Sequence, residues 1–311
     1  MGQTLSEPVT AKLTSCMQSS EFKVGSSCMQ GWRINMEDAH THILSLPDDK
    51  GTAFFAVYDG HGSAKIAEQA GKHLHKYILQ RPEYKESRIK EAMQQGYLDF
   101  DSAMMDDEEK NGVLAGTTAI SVLIKDGTLF CANVGDSRAI ASISGQIHPL
   151  SFDHKPSNTD EARRINSAGG WVEFNRVNGN LALSRALGDF VFKQNKKKKP
   201  EEQIVTAYPD VVEKPYNSEW EFVVMACDGI WDVMSNEEVG DFVRKRIGSG
   251  MEPENICEDL MTRCLAPDCK MGGLGCDNMT VIIISCLHGK PYSNLVDQCA
   301  TSVNYNDDHM S

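Results

Sequence analysis

The chain is poor in positive charge and in long apolar runs. It carries 31 Lys and Arg against 44 Asp and Glu, a formal net charge of −13. A protein so short of cations has no basic track along which to release counterions from a polyanion, so nucleic acid is excluded as a partner. No apolar run approaches the roughly 20 residues that a bilayer-spanning helix needs. The opening stretch MGQTLSEPVT has no apolar core and is read as something other than a secretory signal. No internal repeat is visible. What is present is ordinary for a globular chain: 41% hydrophobic and 24% charged residues over 311 positions.

Ten cysteines without a signal sequence point to reduced thiols in a reducing compartment, hence a cytoplasmic protein with a membrane-associated or nuclear fraction. Gly2 and Ser6 satisfy Met-Gly-x-x-x-Ser, a pattern that directs N-myristoylation. One acyl chain gives only marginal, reversible membrane binding. The run Lys196 to Lys199, otherwise a solvated loop, is then the natural second signal for anionic lipid, or a contact for acidic substrate.

Residues 1–21 and 289–311 read as polar, weakly periodic tails around a folded body of 22–288. Helical spacing marks Ala64 to Leu79 and about 87–105. Ser235 with Glu238 makes a capping box, Gly248 a stop, and Pro253 the opening of a further helix. Short apolar runs mark strands at Ala53 to Tyr58, Ala119 to Ile124, Leu129 to Val134, Arg138 to Ser142, Phe222 to Cys227 and Thr280 to Leu287. Asp126-Gly127 between two of them predicts a type I′ hairpin. Strands and helices come in blocks rather than in βαβ alternation, which favours antiparallel sheets with packed helices: an α+β fold. Around 155–205 the composition shifts to Gly, Asn, Lys and charged residues, read as an inserted flap.

Acidic residues gather at strand ends. Asp59, Asp136 and Asp228 each follow an apolar run, Asp277 precedes one, and Glu37-Asp38 lies in Trp32 to Asp38. Asp-Gly after a strand is a common turn signal, and Asp126-Gly127 fits that reading because strands flank it on both sides. Asp59 and Asp228 do not, since helices or irregular segments follow them. If these carboxylates converge, they need a cation to ionise together. With no Cys or His at ligand spacing beside them, all-oxygen donors select Mg²⁺ or Mn²⁺. Two such ions make water nucleophilic and stabilise charge on a phosphoryl oxygen. Arg33 is placed to bind phosphate, and His61 to donate a proton.

In order, the chain carries Arg33 to Asp38 with Ala39-His40, Asp59-Gly60-His61-Gly62, Gly135-Asp136-Ser137-Arg138, Leu183 to Asp189, Asp228-Gly229-Ile230-Trp231-Asp232 and Asp277-Asn278. Over residues 22–288 it resembles the metal-dependent protein serine/threonine phosphatases of the protein phosphatase 2C family. That resemblance implies a central β-sandwich of two antiparallel sheets with helices on both faces. It implies hydrolysis of phosphoserine and phosphothreonine in proteins by a water bridging two Mg²⁺ or Mn²⁺ ions, in a monomer whose partners are phosphoprotein substrates. Asp59 would bridge the ions, with the Gly60 carbonyl on one and Asp228 and Asp277 on the other. Glu37 and Asp38 would act through water, and Asp136 with Asp228 would hold a weaker third ion. Arg33 would bind the phosphate, His61 would protonate the leaving alkoxide, and Arg185 would orient the flap. Ser63 replaces the glycine usual after Asp-Gly-His-Gly, and is expected to cap the helix beginning at Ala64.

Two other classes compete: a two-metal phosphodiesterase using the same carboxylates, and a catalytically silent binding module. The first lacks a basic track, and the second would have lost a metal ligand. Cys257 and Arg263 satisfy Cys-x5-Arg, but acidic neighbours and an amphipathic helix oppose a thiol-phosphatase cradle. Cys257, Cys264, Cys269 and Cys276 are spaced too widely for paired zinc hooks.

Overall fold

The computed structural model describes residues 4–108, 115–269 and 273–301. Gly2, the expected acylation site, lies outside the described residues. The main strands are β1 (Thr4–Gln18), β2 (Phe22–Arg33), β3 (Ala39–Ile43), β4 (Ala53–Tyr58), β5 (Ala119–Lys125), β6 (Thr128–Val134), β7 (Arg138–Ile143), β8 (Gln146–Pro149), β9 (Asp210–Pro215), β10 (Trp220–Ala226) and β11 (Met279–Cys286). The longer helices are α1 (Lys65–Gln80), α2 (Ile89–Glu108), α3 (Thr159–Ser167), α4 (Asn236–Gly248), α5 (Pro253–Cys264) and α6 (Tyr292–Ala300). One sheet runs β1-β2-β11-β10-β7-β8 and the other β9-β6-β5-β4-β3, every pairing antiparallel. Asp126 and Gly127 both take positive φ, and the flanking register Lys125↔Thr128 is the expected hairpin.

Alternation along each strand builds three apolar layers. Phe55, Val57, Ile120 and Val122 meet Val24, Val223, Met225 and Ile284 between the sheets. Phe54, Ala56 and Tyr58 point the other way, under Ile66, Leu74, Met93 and Phe100 of α1 and α2. On the opposite outer face, Phe222, Val224, Val281 and Ile283 pack under α4, α5 and α6. Because both faces of the central strands are covered, their sequences are continuous apolar runs. The architecture is the helix–sheet–sheet–helix sandwich that the resemblance implied. Among the described residues no helix is long and apolar enough to cross a membrane.

Both supposed tails carry structure. β1 pairs with β2 from Thr4↔Arg33 to Gln18↔Lys23, so it is an edge strand of the first sheet and not a leader. Near the other end, α6 seats Leu295 and Cys299 against the helical layer. Two smaller expectations also change. The N-cap of α1 is Ala64, and the Ser63 hydroxyl only accepts a 3.4 Å contact from the Lys65 amide. Cys269 and Cys276 are joined by a disulfide, Cα atoms 6.0 Å apart, so not every cysteine is a free thiol. The Ser235–Glu238 capping box forms as expected.

Candidate active site

Antiparallel pairing brings the ends of β2, β4, β6 and β10 to the same end of the sandwich as the starts of β3, β5, β7 and β11. Ala39 pairs with Tyr58, Ala119 with Val134, and Val281 with Ala226. Each acidic motif leaves or enters a strand at that end, and there they line a cleft of about 730 Å³. Arg33, Glu37, Asp59, Gly60, His61, Asp136, Asp228 and Asp277 all face it, and Asp38 lies half-buried beside them with its Oδ1 enclosed.

The electrostatics are those of crowded carboxylates. Burial, then Asp228, Asp38, Asp277 and Asp136, raise Asp59 well above the usual carboxylate range. Burial followed by Asp136 and Asp277 does the same to Asp228. Asp38 is pushed up to about 7, chiefly by burial, although Thr280 Oγ1 donates to its Oδ2 at 2.7 Å. Asp38 Oδ1 and Asp228 Oδ1 are buried with no hydrogen-bond partner. An orphaned carboxylate oxygen costs its full desolvation penalty unless a cation takes it up. Oxygen atoms of Asp38 and Asp59 and the Cys227 sulfur lie within 4.8 Å of one another.

Cys227 corrects the expectation that no cysteine stands near the aspartates. Its thiol is held protonated, first by burial and then by Asp38, Asp59 and Asp228. Cys227 donates to the Asn278 carbonyl at 3.5 Å and accepts from the Thr280 amide at 3.2 Å. A neutral, already bonded thiol leaves the donor set to oxygen, which fits Mg²⁺ or Mn²⁺.

The cations of the cleft are placed as follows. Arg33 donates through Nη2 to Asp277 Oδ2. Burial works against its charge, but Asp277, Asp228 and Asp59 outweigh that and raise its pKa. Lys155 Nζ donates to Asp136 Oδ2 at 2.5 Å, so Asp136 already has a counter-ion. On the flap side, Arg176 reaches the cleft wall and donates to the Asn180 carbonyl at 2.5 Å. His61 Nε2 bonds Asp189 Oδ2 at 2.7 Å. Burial lowers its pKa, yet the Asp189 hydrogen bond and charge, with Asp136 and Glu37, leave it raised.

Backbone packing makes this geometry specific. A Cβ on Gly60 would lie 2.2 Å from the Glu37 carbonyl oxygen, so only glycine lets the β3 and β4 motifs touch. A Cβ on Gly116 would fall 2.3 Å from Asp189 Oδ2, in the space the His61–Asp189 pair occupies. Asn278 accepts from the Glu37 amide at 3.0 Å and donates to the Gln30 and Asn35 carbonyls, fixing the loop that presents Glu37.

Arg185 lies away from the cleft. Its guanidinium donates to Glu161 at 2.7 and 3.0 Å and to Asp210 Oδ1 at 2.8 Å, inside the flap. Cys257 is buried under the first sheet, where burial pushes its thiol up, and it has no access to a substrate. Sequence reasoning gave no role to Asp189, Asn278, Cys227, Lys155 or Arg176. Asp189 and Asn278 stood in the quoted motifs, but their partners are remote in sequence.

Comparison with known proteins agrees with this geometry. A family model described as protein phosphatase 2C matches residues 22–271. A Caenorhabditis elegans chain named as a probable protein phosphatase 2C is 58% identical over 312 residues, covering 99% of this chain and 88% of that one. Protein phosphatase 2C homolog 2 of Schizosaccharomyces pombe is 46% identical over 295 residues, covering 93% and 80%. Among solved structures, a phosphatase from Toxoplasma gondii superposes with TM-score 0.74 at 28% identity, covering 89% of this chain and 96% of that one. A serine-threonine phosphatase 2C from the same organism shares the fold, with TM-score 0.75 at 20% identity over 89% and 99%.

Proposed function

The chain belongs to the protein phosphatase 2C family and is a protein serine/threonine phosphatase; from that premise we propose which residues perform the hydrolysis. Asp59, the Gly60 carbonyl, Asp228 and Asp277 hold two divalent ions, with Glu37 and Asp38 acting through water. A third, weaker ion at Asp136 and Asp228 has Lys155 as its competitor. The carrying observation is the pair of buried, unpartnered oxygens on Asp38 and Asp228 amid carboxylates that cannot all ionise unaided. When bound, Mg²⁺ or Mn²⁺ supplies the positive charge that lets these acids ionise together and lowers the pKa of water to yield a nucleophile near neutral pH.

The chain's own groups do the rest. Arg33 is anchored on one side by Asp277 and is 41% exposed, leaving donors for a phosphate oxygen. His61, whose pKa Asp189 raises, delivers its proton to the departing serine or threonine oxygen, a poor leaving group without it. Asn180 to Leu183 of the flap form part of the cleft wall. Turnover of a phosphothreonine peptide should vanish with chelator, return with Mn²⁺, and be lost in Asp228→Asn. Retained turnover in that variant refutes the ligand assignment. We also read Gly2 as an acyl acceptor, on the Met-Gly-x-x-x-Ser pattern, giving a cytoplasmic monomer a weak membrane association. An unmodified native amino terminus in mass spectrometry rejects it.

A further inference from the structure

The chain passes directly from the wall of the catalytic cleft into a second cavity. Asp189, Val191 and Phe192 face the cleft. The next residues, Lys193 to Lys196 and then Lys198, face a neighbouring cavity of about 380 Å³, whose other wall includes Leu98, Asp101 and Ser102 of α2. Lys193 is spent internally: its Nζ donates to both Asp101 oxygens at 2.8 Å and to the Ala186 carbonyl, so the acid in that wall is neutralised. Lys196 to Lys199 differ. Among the described residues none of the four forms an ion pair, and Lys196, Lys197 and Lys199 are exposed.

These cations are held by an anchored loop rather than a free tail. Asn195 donates through Nδ2 to the Ala168 carbonyl at 2.8 Å, and its amide donates to Gln203 Oε1 at 3.1 Å. The buried Gln203 donates in return to the Asn195 and Lys198 carbonyls at 2.9 and 3.1 Å. Within 193–203 five lysines face two glutamates, a charge of +3, which leaves −16 on the remainder of a chain at −13. Four adjacent unpaired ammonium groups repel one another, and an anion relieves that repulsion. Pre-ordering of the backbone lowers the cost of binding one.

We propose that the Lys196–Lys199 loop docks an acidic segment of the phosphoprotein substrate, on the same polypeptide whose phosphoresidue occupies the cleft. This deepens, and rests on, the phosphatase reading. Continuity decides for substrate over membrane: the loop shares its backbone, through Asp189, Val191 and Phe192, with the wall of the cleft in which the phosphoresidue sits.

The test uses phosphothreonine peptides that are neutral, or carry an Asp/Glu run on the amino or on the carboxyl side, with K196Q/K197Q/K198Q/K199Q as the variant. One acidic peptide should exceed the neutral one in kcat/KM by about tenfold at low salt, equal to about 1.4 kcal/mol from several weak exposed pairs. That advantage should shrink in high salt and in the variant, while turnover of a small aryl phosphate stays equal in both proteins. No advantage on either side, or an equal one in the variant, overturns the proposal. Loss of phosphatidylserine-vesicle binding with an unchanged peptide preference overturns it in favour of lipid. If the Mn²⁺-loaded wild type turns over neither peptide nor aryl phosphate, the phosphatase reading has failed instead. Fluorescence anisotropy of an unphosphorylated acidic peptide on both proteins then decides docking alone.

Discussion

Glu161→Gln tests whether the flap is clamped as the structure indicates. Glu161 is 4% exposed on α3 and accepts from Arg185 Nε and Nη2 and from Arg164 Nη1. Through these arginines it ties together Ser184 and Gln203, whose carbonyls accept from Arg164, and Asp210 of β9. Burial works against its charge, but Arg185 and Arg164 hold the carboxyl far down, from 4.5 to about 2. Such a displacement corresponds to about 3 kcal/mol. Arg164 gives part of this back, because burial lowers its pKa by more than Glu161 raises it. We therefore expect a net loss of about 2 kcal/mol, below the roughly 3–5 kcal/mol that breaking a fully buried pair costs. The sign follows from the depressed pKa. The stabilisation is complete above pH 4.5 and disappears as pH falls toward about 2. Hydrogen exchange of 155–205 and thermal unfolding, each run from pH 7 to pH 3.5, are the measurements. Faster flap exchange in the variant, with a gap that narrows in acid, is expected. Equal exchange at pH 7, or a gap independent of pH, refutes the clamp.

Asp189→Asn should move the alkaline limb of the pH–rate profile to lower pH on a phosphothreonine peptide, because His61 loses the neighbour that raises its pKa. Asparagine tolerates the left-handed φ of 52° at that position, and an aryl phosphate, needing less acid help, should barely respond; an unmoved limb argues against His61 as the acid. Gly60→Ala should weaken divalent-ion activation by tenfold or more, since its Cβ would meet the Glu37 carbonyl at 2.2 Å and push the two acidic loops apart. An unchanged Mn²⁺ activation curve refutes that packing argument.

What the sequence discloses depends on how completely a segment is enclosed. Ala53–Tyr58 is buried on both faces, so its identity as a strand is written into every residue. β1 is mostly exposed at a sheet edge and belongs to the sheet through backbone pairing with β2, which leaves no apolar period to read. α6 buries only Leu295 and Cys299, too few to mark a helix. The acidic residues behave differently. A carboxylate next to an apolar strand is informative because burial penalises it, and whether it stands at the strand's start or end states at which end of the sandwich it emerges. Neighbouring antiparallel strands run oppositely, so Asp59 after β4 and Glu37-Asp38 before β3 must meet, as must Asp228 after β10 and Asp277 before β11. Convergence at one end was therefore implicit once the pairing was antiparallel. The partners that tune the site were not: His61 and Asp189 stand 128 residues apart, and Arg33 and Asp277 stand 244 apart. No periodicity relates such positions. Only the closure of the flap and of the first sheet decides which charge sits beside which, and those choices set the protonation state on which the chemistry depends.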